Sequence, residues 1–128
     1  MPSPDAFSYA ALRVVPDIER EEFVNAGLIL FCRPRRFLRA RTLLDEEALR
    51  ALAGDCDVAG LREQLGLVER VAAGEANAGP IARLDQSERF HWLTAARSTM
   101  VQAGPIHTGV TGDPEATFQH LFGVLVER

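Results

Sequence analysis

The run over residues 23–32 is the most apolar stretch of the chain, and it leaves few folds open. Only Asn25 and Gly27 interrupt it. The run is short for a buried helix. A charged loop precedes it and Arg33-Pro34-Arg35-Arg36 follows it, so it reads as a central strand bounded by turns. Gly27 inside it signals a bulge or the close approach of another backbone. A central strand needs neighbours on both sides. Residues 7–15 alternate, with Phe7, Tyr9, Ala11 and Arg13 on one face and Ser8, Ala10, Leu12 and Val14 on the other. Residues 37–44 read as the return strand of a hairpin. There Leu38, Ala40, Thr42 and Leu44 turn to the core and Arg39 and Arg41 turn outward.

Helical signals come later. Asp45 is placed as an N-cap, with Glu46 and Glu47 in the first turn of a short helix that stops near Gly54. A longer helix is expected over residues 57–73, burying Val58, Leu61, Leu65, Val68 and Ala72. Asp85 and Glu88 resemble a capping box before Phe90, Trp92 and Leu93. Residues 98–103 read as a short strand, broken by Gly104-Pro105, and residues 106–110 as strand or loop. Asp113 and Pro114 open a last helix with Phe118, Leu121, Phe122 and Leu125 on its packing stripe. Residues 1–6, with two prolines, read as a flexible lead-in. The expectation is a single α+β domain over residues 1–128. Its antiparallel sheet has three to five strands, with helices packed mainly on one face.

Charge and composition narrow the function classes. A net charge of −4 creates no global field that favours nucleic acid. All 14 basic residues are arginine, so every positive charge is a planar group suited to carboxylate or phosphate. Cys32 and Cys56 form no Cys-x-x-Cys pair and read as reduced thiols of a cytoplasmic protein. The start of the chain lacks the basic and apolar regions of a signal peptide. No apolar run approaches the roughly 20 residues of a membrane span. His91, His107 and His120 lie far apart, and no phosphate-binding glycine motif occurs, so neither a metal nor a cofactor is expected.

Three polar groups stand out as candidates. Arg33, Arg35, Arg36, Arg39 and Arg41 form a basic patch that suits a phosphate backbone or an acidic partner, or else a charged strand edge that resists aggregation. Glu22 and Asn25 place polar side chains beside Gly27 in the apolar strand. A buried amide needs a partner, either a ligand or a neighbouring loop, and the expected one is the loop over residues 16–21. Arg97, Ser98, Thr99, His107, Thr108 and Gly109 gather charge, hydroxyls and an imidazole around glycines, a composition suited to an anion site or to plain turn chemistry.

Taken together, these stretches resemble a known family. Residues 9–13, Glu22-Phe23-Val24-Asn25-Ala26-Gly27 with the apolar run behind it, Glu88-Arg89-Phe90, Arg97-Ser98-Thr99 and His107-Thr108-Gly109 are similar to the bacterial domain-of-unknown-function family 3037. The resemblance covers nearly the whole chain and implies no reaction. It implies a small bacterial protein encoded beside HipA-like kinases, hence a partner or regulatory subunit of such a kinase. It singles out Arg13, Glu22, Asn25, Gly27, Arg97, Ser98, Thr99, His107, Thr108 and Gly109. The leading expectation is a protein-interaction or regulatory module. The alternatives are a small enzyme or ligand-binding domain that uses Arg13, Arg97 and His107 as an anion site, and nucleic-acid binding through the arginine hairpin.

Overall fold

The computed structural model describes residues 4–96 and 99–127. The strands are β1 (Asp5–Val14), β2 (Val24–Cys32), β3 (Phe37–Thr42), β4 (Val101–Ala103) and β5 (His107–Thr111). The helices are α1 (Glu46–Leu52), α2 (Val58–Ala73), α3 (Gln86–Thr94) and α4 (Pro114–Phe122), and a π-helical turn, Gly123–Glu127, extends α4. β1 begins at Asp5, inside the segment read as a lead-in, while residues 1–3 of that segment lie outside the described residues.

All strand pairs are antiparallel, as expected for an α+β fold of this order. β3, β2 and β1 are neighbours in that order. The far side of β1 is shared: β4 pairs with Leu12–Val14 and β5 with Asp5–Tyr9. Ser8, Tyr9 and Leu12–Val14 therefore have a strand on each side. The expected irregularity near Gly27 is a bulge. Leu12 faces Gly27 but Arg13 faces Asn25, leaving Ala26 as the extra residue. Gly27 also admits a close backbone approach, because an added Cβ would lie 2.8 Å from the Arg41 carbonyl oxygen and 2.9 Å from Leu12 Cδ1.

The alternation of β1 sorts the core. On one face Leu12, Val14, Ala26 and Ile29 pack under α1, α2 and α3, against Leu49, Leu61, Leu65, Val71, Phe90 and Leu93. On the other face Phe7, Leu28, Leu30 and Cys32 meet Phe118 and Phe122 of α4. Burying either phenylalanine contributes about 1.5–3 kcal/mol. Asp45, Asp57, Asp85 and Asp113 each accept a backbone hydrogen bond at the start of α1, α2, α3 and α4. Each such cap contributes about 1 kcal/mol.

One expectation gains detail and another changes. Arg39 and Arg41 leave the three-helix face as expected, and Arg41 is exposed, but both also reach aromatic rings on the α4 side. Arg39 pairs with Glu115 and lies 4.8 Å from the Phe37 ring centre, and Arg41 lies 4.7 Å from that of Phe122. Strand alternation assigns a face, but it does not say what covers that face. Asn25 does not tie down the loop over residues 16–21. Its Nδ2 donates to the Leu125 carbonyl at 3.2 Å and fastens the π-helical turn to the sheet.

Candidate functional site

Arg13 is the candidate residue with a cleft around it. In the sheet it stands between Asn25 of β2 and Gln102 of β4. Its guanidinium carbon lies 4.0 Å from the Phe23 ring centre, a stacking worth about 0.5–1 kcal/mol at an open site. It also packs over Gly104, where an added Cβ would lie 3.0 Å from Nε. That Nε is buried and has no hydrogen-bond partner. Val15, Ile18, Glu21, Phe23 and Gln102 complete an open cleft of about 350 Å³ around it. Glu21 enters the cleft from a left-handed backbone, with φ 56°. The cleft combines a stacked cation, a carboxylate and an amide, which suits recognition of a polar group. Its lining contains no nucleophile paired with a base.

The remaining residues scatter from this point. His107 lies opposite Tyr9, their ring centres 5.3 Å apart. It shares a sheet face with Arg13, but Tyr9 and Arg13 are roughly 13 Å apart along the strand. Gly109 lies opposite Phe7, whose ring occupies the space of a Cβ, and Thr108 lies opposite Ser8. Glu22 pairs with Arg20 at 2.7 Å and lies beside Pro16, Asp17 and Leu52, away from the Arg13 cleft. Thr99 donates to the Val101 carbonyl at 2.7 Å and lines a cavity of about 170 Å³ with Trp92 and Leu67. Arg97 and Ser98 lie outside the described residues. Gly27 is accounted for by packing.

The family model of a protein of unknown function, DUF3037, matches residues 9–126. The chain belongs to that family. No curated protein and no solved structure matches it.

In this DUF3037 chain the five arginines of the hairpin separate into three places. Arg39 and Arg41 stack against Phe118 and Phe122 of α4. Arg35 donates from Nε to Asp5 at 2.6 Å, and that hydrogen bond raises its pKa above the ordinary arginine value. Arg33 and Arg36 turn the other way, toward the start of α3, where they line a pocket with Arg89. Arg89 was not among the candidate site residues, although Glu88-Arg89-Phe90 belongs to the family-like stretches. It is buried, and its Nη1 donates to the carbonyls of Val71 (3.2 Å) and Ala72 (2.9 Å), closing the end of α2. Gly74 could have signalled it. This left-handed C-cap glycine sits so close that an added Cβ would lie 2.7 Å from Arg89 Nη1. Among the described residues no cluster of His, Cys, Asp and Glu is suited to a metal ion, and no helix is long and apolar enough to cross a membrane.

Proposed function

We propose that this DUF3037 protein is an interaction module that receives an extended segment of a companion protein along the outer edge of β5. The observation that carries the reading is a contrast between the two sheet edges. The β3 edge is blunted: Arg39 and Arg41 occupy it, and the Thr42 N–H is taken by Glu69 at 2.9 Å. Among the described residues β5 pairs only with β1, and its run His107-Thr108-Gly109-Val110-Thr111 holds no Lys, Arg, Asp, Glu or Pro. Val110 is 70% exposed and the preceding Ile106 is 50% exposed. An open edge of this kind offers unpaired backbone donors and acceptors to an incoming strand, with exposed side chains setting specificity. The companion implied by the family resemblance is a HipA-like kinase, which this chain would bind as a regulatory partner.

The test is co-expression with the neighbouring kinase-like protein, followed by a sizing column. The two proteins are expected to co-elute. The Thr108→Lys/Val110→Lys variant should separate them while shifting the stability of the lone chain by only about 0.5 kcal/mol. Separate elution of the parent proteins, or a complex that survives both lysines, would remove β5 as the docking edge.

A further inference from the structure

The pocket between the β2–β3 turn and the start of α3 belongs to neither the Arg13 cleft nor the β5 edge, and it carries its own chemistry. It measures about 370 Å³ and is lined by Phe31, Arg33, Arg36, Asp85, Gln86, Ser87 and Arg89. Three arginines and one aspartate are among its lining residues. That carboxylate is already committed, since Asp85 Oδ1 accepts from the Glu88 N–H at 2.9 Å. Among the described residues Arg33 and Arg36 make no side-chain hydrogen bond or ion pair. Arg89 is 9% exposed, and its Nε has no hydrogen-bond partner although Nη1 is bonded twice. A buried donor left unpaired is costly, and an acceptor in the pocket offsets that cost. The N–H groups of Gln86 and Ser87 open α3 and add the positive end of a helix to the same space.

We propose that this pocket binds a phosphate monoester. After Asp85 is counted, the three arginines leave an excess of positive charge close to the charge of about −1.5 to −2 on a phosphate monoester at neutral pH. Planar guanidinium groups pair well with its oxygens. The volume exceeds that of a bare phosphate and leaves room for the esterified group.

Arg36 supplies a clean test. It holds a left-handed backbone, φ 50° and ψ 41°, which glycine adopts without strain. Its carbonyl, which accepts from Gln86 Nε2 at 2.9 Å, remains in any variant. Arg36→Gly therefore removes a charge from the pocket while leaving the fold at least as stable. The experiment titrates the ¹⁵N-labelled chain with inorganic phosphate and with phenyl phosphate, with chloride held constant. Saturable shifts are expected at the Gln86 and Ser87 amides and at Arg89 Nε–H. Phenyl phosphate should bind the tighter of the two, because the inorganic ion leaves part of the pocket unfilled. Arg36→Gly and Arg33→Gln should each weaken binding about tenfold, the loss of one charged hydrogen bond. Their denaturation midpoints should be no lower than the parent's. The proposal is overturned if no shift saturates at millimolar probe, if the double variant binds as well as the parent, or if the shifts centre elsewhere.

Discussion

One methyl group at Gly27 tests whether the bulge and the hairpin pack as described. In Gly27→Ala the new carbon would stand 2.8 Å from the Arg41 carbonyl oxygen, 2.9 Å from Leu12 Cδ1 and 3.1 Å from Thr42 Cγ2. Leu12 could change rotamer, but it is 2% exposed and has little space to enter. The carbonyl belongs to the β2–β3 ladder and yields only if that ladder moves. Overpacking of this sort costs about 1–3 kcal/mol, and the backbone contact places the variant toward the upper end. In a chain of this length each kcal/mol lowers the melting temperature by roughly 4 °C, so the expected loss is about 8–12 °C. Gly66→Ala is the matched control. It lies within α2 with nothing within 4 Å of the added carbon, and alanine should stabilise the helix by about 1 kcal/mol. Thermal unfolding followed by circular dichroism measures both. Equal midpoints for the two variants would refute the close approach at Gly27 and the register built on it.

Asn25→Ala removes the hydrogen bond to the Leu125 carbonyl and should cost about 1 kcal/mol. Amide exchange should quicken in Gly123–Glu127 more than in β2, and uniform quickening would argue against a local tether. Glu46 gives a pH dependence. The hydrogen bond from Arg62 and then the Arg62 charge lower its pKa below the ordinary value; desolvation opposes them, and the Arg50 charge lowers it least. A carboxylate held low in the folded state stabilises above its unfolded pKa of roughly 4.3, and that contribution is lost as pH falls through the folded value. The urea midpoints of the parent and Arg62→Gln should therefore differ at neutral pH and converge in acid. A gap that widens below roughly pH 4 would contradict the assignment.

The local parts of this fold were written in neighbouring residues. Each helix-opening aspartate is followed by the residues that complete its cap, so Asp45, Asp85 and Asp113 could be read without the tertiary structure. The alternation of β1 assigned its faces, and Gly27 marked the bulge. Contacts that span the chain left no such mark. Asn25 finds its acceptor 100 residues away, and nothing beside it names Leu125. The arginine hairpin looked like one patch because sequence proximity hides the fact that successive turn and strand residues reach different layers. Arg35 meets Asp5, Arg39 meets Glu115, and Arg36 lies with Arg89. The candidate site was legible in part. Arg13 and Asn25 do lie side by side, whereas His107 sits at the other end of β1.

The position of β1 has a consequence for how the molecule is made. Its first partner, β2, follows about ten residues after it ends, but β4 and β5 are encoded some ninety residues later, after every α-helix except α4. On the ribosome the strand that ends in the middle of the sheet must therefore wait, half paired, until nearly the entire chain has emerged. Closing so long a loop is slow, and the exposed flank invites wrong partners in the interval. A nascent chain stalled before residue 101 should keep the β2–β1 hairpin open to chaperones, and completion of the last quarter should release it.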